Sequence, residues 1–317
     1  MDLDLVYLWC DDADTEWSDL RKKYLPKEKL DKQVVCKGRF VQNDELKYSL
    51  RSVAKYMPWV RNIYIVSDCK MPQWLNVNHP KIKIIKERSL LGKYAPVFNF
   101  NAIETFLADI DGLSENFIYM NDDNLLAAPV KPADLIDKNG KVICRMTYSK
   151  KSDRPSVYCD MIYNMQKVSE QKFDYKCEYF PHHNLDVYNK TAFKQCNEMC
   201  SELVEQTRNN RFRTAQDWQR VLISYYMLAT GIGTLKVLNA YEVSWLQWLK
   251  HNLFDFGKKD SVVLPLHAKT KKYYKKLNRH KPKFLCVEDN EFSTDDDRAR
   301  GKAFLQNLFP DKSEFEN

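Results

Sequence analysis

The chain has 317 residues, 44% hydrophobic and 29% charged, with a formal net charge of +7 and only 8 glycines. That balance excludes a disordered, low-complexity or linker-rich chain and gives enough length for one elaborated α/β domain. No apolar run approaches the roughly 18 residues that span a bilayer, and the opening Met1-Asp2-Leu3-Asp4 lacks the basic stretch of a secretory leader. A soluble cytoplasmic protein, at most peripheral to a membrane, is expected.

The basic excess suits an anionic partner, whether nucleic acid, a membrane face or a phosphorylated substrate. Much of it sits in the run Lys269-Thr270-Lys271-Lys272-Tyr273-Tyr274-Lys275-Lys276, which equally reads as a solvated face. Nine scattered cysteines without a C-x-x-C pair predict reduced thiols serving as small hydrophobes.

Taken in order, residues 3–9 read as a buried strand ending in Asp11-Asp12-Ala13-Asp14. Residues 44–55 form a helix with Leu46, Leu50 and Val53 on one face, stopped at Met57-Pro58. Strands follow at 62–66, ending in Ser67-Asp68, and at 81–85. A helix over 102–107 leads to a strand over 116–120 that closes in Asn121-Asp122-Asp123. Another strand is predicted over 142–146, then a polar, aromatic insertion to about residue 179. Helices are predicted over 191–206 and 216–228, and a basic, aromatic stretch without clear pattern runs over 245–280. A strand at 283–287 meets Glu288-Asp289-Asn290, and a helix over 295–308 completes the pattern. Short apolar strands alternating with helices predict a mostly parallel sheet flanked by helices. The organisation expected is one domain: an α/β half over 1–135, a helical part over 136–280, and a returning strand with its helix over 281–317.

Several of these strands run into acids at the edge where open α/β sheets bind ligands. Carboxylates there suit a hard cation, Mg²⁺ or Mn²⁺, shared with substrate phosphates. The plainer reading of Asn121-Asp122-Asp123 is a turn or helix cap. Arg211-Phe212-Arg213 with Asp217 four residues on offers a guanidinium for phosphate, or a helix-start ion pair. His182-His183 after Pro181 offers a general base, or a surface pair.

The run Arg39-Phe40-Val41-Gln42-Asn43-Asp44-Glu45-Leu46-Lys47-Tyr48-Ser49-Leu50-Arg51-Ser52-Val53 resembles the second conserved region of the Stealth proteins. The likeness continues through Pro58-Trp59-Val60-Arg61-Asn62, Phe98-Asn99-Phe100-Asn101-Ala102-Ile103-Glu104 and Asn116 to Asp123. Asp4 to Asp11, Arg213 to Gln219 and Lys283 to Asn290 resemble the family's other regions. Two departures stand out: Tyr179 lies where the family has a His two residues before a Pro, and Asp11-Asp12 replaces Asp-Gly.

The resemblance implies a GT-A-like α/β fold with a helical, aromatic insertion in the C-terminal half. The activity it implies is metal-dependent transfer of a sugar 1-phosphate from a UDP-sugar to a hydroxyl of a glycan or polysaccharide acceptor. Capsular or exopolysaccharide synthesis would then place the chain in the cytoplasm, at most peripheral at the inner face of the bacterial membrane, with no nucleic-acid partner. Asp123 and Asp289 would hold Mg²⁺ or Mn²⁺, assisted by Asp122 or Asn121. Arg213, oriented by Asp217, would bind the transferred phosphate, and His182 or His183 would take the acceptor proton. Asp11, Asn43, Asp44, Arg51 and Asn121 would shape the nucleotide-sugar pocket. An ordinary glycosyltransferase releasing UDP is the nearest rival, and a non-catalytic binder of polyanions or membranes a more distant one.

Overall fold

The structure is a computed structural model that describes residues 2–27, 30–148, 156–238 and 260–317. Eleven described strands run in chain order: β1 (Leu3–Leu8), β2 (Ile63–Val66), β3 (Ile82–Ile85), β4 (Asn116–Asn121), β5 (Asn124–Leu126), β6 (Val142–Tyr148), β7 (Tyr179–Pro181), β8 (Asp186–Asn189), β9 (Gly233–Leu238), β10 (Ser261–Pro265) and β11 (Phe284–Glu288).

The central sheet has the order β3-β2-β1-β4-β8, with the first four strands parallel and β8 an antiparallel edge. All six β1 residues are buried, which is why that strand reads as a nearly unbroken apolar run. The exception in type is Asp4. It is fully buried and held by the Arg61 guanidinium at 2.9 and 2.6 Å and by the Ser114 backbone N–H at 2.8 Å. Leu8 pairs with Val66 on one side and Asn121 on the other. The residues after these three positions, Asp11, Asp68 and Asp122-Asp123, therefore belong to one carboxyl edge.

The helix Glu45–Tyr56 buries Leu46, Leu50 and Val53 as predicted, and also Ser49 and Ser52. Those two serines make strand contacts that a hydrophobic count passes over. Ser49 donates to the Asn124 carbonyl at 2.5 Å, and Ser52 accepts from the Leu126 N–H at 2.9 Å. They fix β5, so the chain reverses sharply at Asp122-Asp123. β5 then pairs antiparallel with β11, which pairs parallel with β10. The Val287 N–H donates to the Asp123 carbonyl at 2.9 Å, bringing the end of β11 against the β4–β5 turn. A second core of Tyr48, Leu125, Leu264, Tyr273, Leu285 and Phe304 lies between this small sheet and the helices Thr270–His280 and Asp295–Leu308.

A third sheet, β7-β6-β9, carries the predicted 142–146 strand outside the central sheet. Three helical expectations change. The polar insertion contains a helix, Val157–Phe173, capped by Ser156 and burying Met161, Ile162, Met165 and Ser169. The single helix over 191–206 is two, Lys190–Met199 and Ser201–Asn209, because Cys200 leaves helical geometry at φ −111° and ψ 29°. The helix over 216–228 begins only at Val221, because the Asp217 carboxylate draws the preceding residues into a turn. Of the basic, aromatic stretch over 245–280, residues 245–259 lie outside the described residues. All nine cysteines are free thiols, most of them buried.

Candidate active site

A cavity of about 350 Å³ opens at the carboxyl edge of the central sheet, where β4, β5 and β11 converge. One wall holds Asn121, Asp122 and Asp123 from the β4–β5 turn and Glu288 and Asp289 from the end of β11. The lining also holds Arg39, Arg213 and Arg220, together with His183 and Tyr158.

The carboxylates differ in how they are held. Asp122 accepts a 2.7 Å hydrogen bond from the Gln42 amide and the N–H of Asp123 at 3.1 Å. Asp123 accepts from the Asn124 amide at 2.7 Å and lies 3.4 Å from the Cys286 thiol. Burial first, and the Asp122 charge second, push the Asp123 carboxyl up to about 7. Asp289 is in a bidentate ion pair with Arg298 at 2.7 and 3.0 Å.

The cationic wall is anchored by Arg220. Its guanidinium meets Asp186 at 3.0 Å and Glu104 at 2.8 Å, and Tyr119 donates to the same Glu104 oxygen at 2.9 Å. Arg39 is tethered through its Nε to the Gln33 carbonyl. Arg213 makes no ion pair among the described residues; burial, followed by the neighbouring Arg39, pulls it down to about 9, and it stays cationic at neutral pH. Tyr158 and His183 stack obliquely, with ring centroids 5.4 Å apart. The cavity walls around His183 disfavour its charged form, so its pKa falls below the usual value and the ring is neutral at pH 7.

Of the residues predicted from sequence, the cavity brings together Asn121, Asp122, Asp123, His183, Arg213 and Asp289. Asp217 stands behind it, fully buried. It accepts from the Asn99 and Asn210 amides, each at 2.7 Å, and from the Thr214 N–H and hydroxyl at 2.9 and 2.8 Å. Its place is to fix the loop that carries Arg213, with no ion pair joining the two.

Other predicted residues do not line the cavity. His182 is buried beside it, its Nδ1 engaged with the Asn184 amide at 2.8 Å and the Ser261 hydroxyl at 3.1 Å. Asp11 caps its own turn through the Ala13 N–H at 2.9 Å. Asn43 is turned onto Glu45, donating through both its amide and its N–H. Asp44 has φ 66° and pairs with Lys302 at 2.7 Å. Arg51 is distant from the strand-end acids, in a buried pair with Glu316 at 2.7 Å and with the Phe309 carbonyl at 2.7 Å. The cavities include a groove beside Arg51, about 590 Å³, lined by Lys55 and Phe309 to Glu314, which shares no residue with the strand-end cavity.

Two predictions follow from these placements. Arg51→Met lowers stability by about 3–5 kcal/mol, the cost of stranding Glu316 without its partner, while KM for the donor is unchanged in the folded fraction. A chemical melt beside a kinetic titration checks both. For His182, burial first and His183 second hold the pKa down to about 4, against an ordinary 6.5. The unfolded chain takes up this proton before the folded one does. The contribution of His182 is therefore intact above pH 6.5 and lost as pH falls from there towards 4, in total roughly 3 kcal/mol. His182→Gln flattens that part of a stability–pH curve.

Arg39, Glu104, Tyr158, Arg220 and Glu288 were not singled out from sequence. Arg39 and Glu104 do open and close runs that carry the family resemblance. Arg220 is three residues past Asp217 and Glu288 immediately precedes Asp289. Nothing in the local pattern marks Tyr158.

Among the described residues, no three His, Cys, Asp or Glu side chains are arranged as a ready metal cage. The donors present are nonetheless oxygens, and the raised Asp123 carboxyl has no ion pair among the described residues. That set fits a hard cation held by one or two carboxylates, with substrate phosphate and water completing the shell.

Comparison with known proteins shows the family to which the chain belongs. The model of Stealth protein conserved region 2 matches residues 39–144, from the Arg39 of the cationic wall through the β4–β5 turn. The capsular polysaccharide phosphotransferase LcbA of Aeromonas hydrophila is 33% identical over 228 residues, covering 68% of this chain and 62% of LcbA. The exopolysaccharide phosphotransferase cps2G of Lactiplantibacillus plantarum is 28% identical over 352 residues, covering 99% of this chain and 96% of its own. The capsular polysaccharide phosphotransferase SacB of Neisseria meningitidis serogroup A is 30% identical over 325 residues, covering 99% of this chain and 57% of SacB. The chain belongs to the Stealth family. It spans less than two thirds of the length of LcbA and SacB. Among solved structures, galactosyltransferase LgtC with donor and acceptor sugar analogues aligns over 98% of both chains, with a TM-score of 0.44 and 12% identity.

Proposed function

We propose that this chain is a phosphotransferase of capsular or exopolysaccharide synthesis, moving a sugar 1-phosphate from a UDP-sugar to a glycan hydroxyl. The observation that carries the reading is that Arg39, Arg213 and Arg220 line one sheet-edge cavity together with Asp123 and Glu288. Arg220 is compensated by Glu104 and Asp186. The remaining guanidiniums of Arg39 and Arg213 are more than a neutral sugar needs, and they match the two charges of a diphosphate. The phosphotransferase names of its relatives point the same way.

In this reading Arg213 and Arg39 hold the diphosphate oxygens, and the Arg220–Glu104–Asp186 network keeps that wall from moving. His183, neutral at pH 7, accepts the proton of the acceptor hydroxyl. The acceptor oxygen forms a bond to the sugar-side phosphorus, and the bond from that phosphorus to the bridging oxygen breaks. UMP leaves with the bond's electron pair, and the sugar remains linked by a phosphodiester. Mg²⁺ or Mn²⁺, held by Asp123 with Glu288 or Asp289, would supply charge neutralisation on the diphosphate.

A panel of UDP-sugars with Mg²⁺ or Mn²⁺ and a glycan acceptor tests it. UMP release with a phosphodiester resonance in the phosphorus spectrum is expected. Release of UDP instead assigns glycosyl transfer and overturns the proposal.

A further inference from the structure

The basic run from Lys269 becomes, in three dimensions, one face of a helix. Residues 269–281 hold seven lysines and arginines and no acid, as many cations as the chain's whole formal excess of +7. Within the helix Thr270–His280, Tyr273 and His280 are buried and Leu277 half-buried, at spacings of four and three. Lys272, Lys275 and Arg279 are exposed away from that stripe, and Lys276, also exposed, lies at its border with its ammonium on the Val263 carbonyl at 3.1 Å. Among the described residues, no acid pairs with Lys272, Lys275 or Arg279. Burial first, and then the Lys272 ammonium, lower the pKa of Lys276, so the row is crowded with its own charge.

Two exposed aromatic side chains flank this face. Tyr274 is 41% exposed, on the same helix, with its ring against Phe304. Phe292 is 69% exposed and packs on His267, just before the helix begins. Phe292 also follows Asp289-Asn290-Glu291, which line the cavity.

We infer that this face docks the protein on an anionic lipid bilayer, with the lysines and Arg279 on the head groups and Tyr274 and Phe292 at the interface. The row spans about 10 Å of helix axis on an outer face, which presents charge to a plane. Exposed aromatic rings beside cations suit the head-group layer, where one end is apolar and the other wet. The cavity rim, adjoining Phe292, would then lie close to the membrane surface, whichever phosphoryl or glycosyl transfer the site performs.

Sedimentation with phosphatidylcholine vesicles containing phosphatidylglycerol tests the inference independently of catalysis. Each lysine or arginine at such a surface is worth roughly a five-fold change in partitioning. The triple variant Lys272→Gln, Lys275→Gln, Arg279→Gln should therefore bind about 100-fold more weakly, with an unchanged melt and unchanged turnover of a soluble acceptor. Raising salt until the screening length shrinks to about 3 Å should release the parent chain. If the triple variant folds poorly, Lys275→Gln alone should still show the roughly five-fold loss. Equal binding to pure phosphatidylcholine, no binding to the anionic vesicles, or undiminished binding by the variants overturns the inference. Capture of soluble heparin without vesicle binding overturns it in favour of a polyanion.

Discussion

Asp123→Asn should lower kcat by about 10³-fold or more and leave the folded chain at least as stable as its parent. The catalytic loss follows from the proposed role, because a carboxamide is a poor ligand for a hard cation. The stability gain follows from where the carboxylate sits. Asp123 is half-buried beside Asp122, with Glu288 also near, and its carboxyl is raised to about 7 from an ordinary 3.8. The folded chain therefore holds this proton more tightly than the unfolded one. Stability falls as pH rises from about 4 to 7 and stays at its lower level above, a difference of a few kcal/mol. The amide removes that penalty, so the gain is largest above pH 7. A thermal melt with and without Mn²⁺ separates role from environment: Mn²⁺ should raise the parent's Tm and leave that of the variant where it was. Full activity in Asp123→Asn, or an identical Mn²⁺ response in both, overturns the assignment.

Asp217→Ala should cost about 4 kcal/mol of stability and lower kcat/KM by about 10²-fold in the molecules that remain folded. Four donors converge on this buried carboxylate from Asn99, Asn210 and Thr214. Its removal leaves them unsatisfied and frees the loop carrying Arg213. Arg213→Ala should show the reverse pattern, a loss of at least comparable size in kcat/KM with little change in the melt. Asp217→Asn preserves shape but sets an amide N–H against one of the donors, and should recover part of both losses. If Asp217→Ala melts like the parent, Asp217 does not organise this loop. If Arg213→Ala keeps full activity, Arg213 has no part in binding phosphate.

The parallel strands were legible in the sequence for a physical reason. β1, β2 and β4 are covered on both faces, so each appears as a compact apolar run with an acidic end. β5, β7, β8, β9 and β10 were not. β8 carries Asp186 and Asn189, whose side chains serve Arg220 and a helix cap, and that dilutes any alternation. The helix Val157–Phe173 was hidden by a modest apolar stripe between polar residues, although Ser156 was a readable cap. In the site, the acids at strand ends could be found because a sheet edge orders them along the chain. Arg51 misled because a cation in a strongly family-like run looks functional, while its partner Glu316 lies 265 positions away. Arg220, Glu104 and Asp186 could not be grouped by eye for the same reason: no local spacing announces an ion network closed by the tertiary fold.

The cavity wall is assembled from stretches around residues 33–39, 100–104, 121–123, 156–161, 183, 213–220 and 288–291. A substrate spanning it would act as a further non-covalent cross-link between segments already joined in places, as by the Arg220–Glu104 pair. Occupancy should then slow amide exchange in stretches far apart in the chain at once, rather than in one loop. The stretch matched as conserved region 2 ends at residue 144, before His183, Arg213 and Arg220. Expressed alone, that stretch would carry the acids of the β4–β5 turn without Arg213, Arg220, Glu288, Asp289 and Glu291.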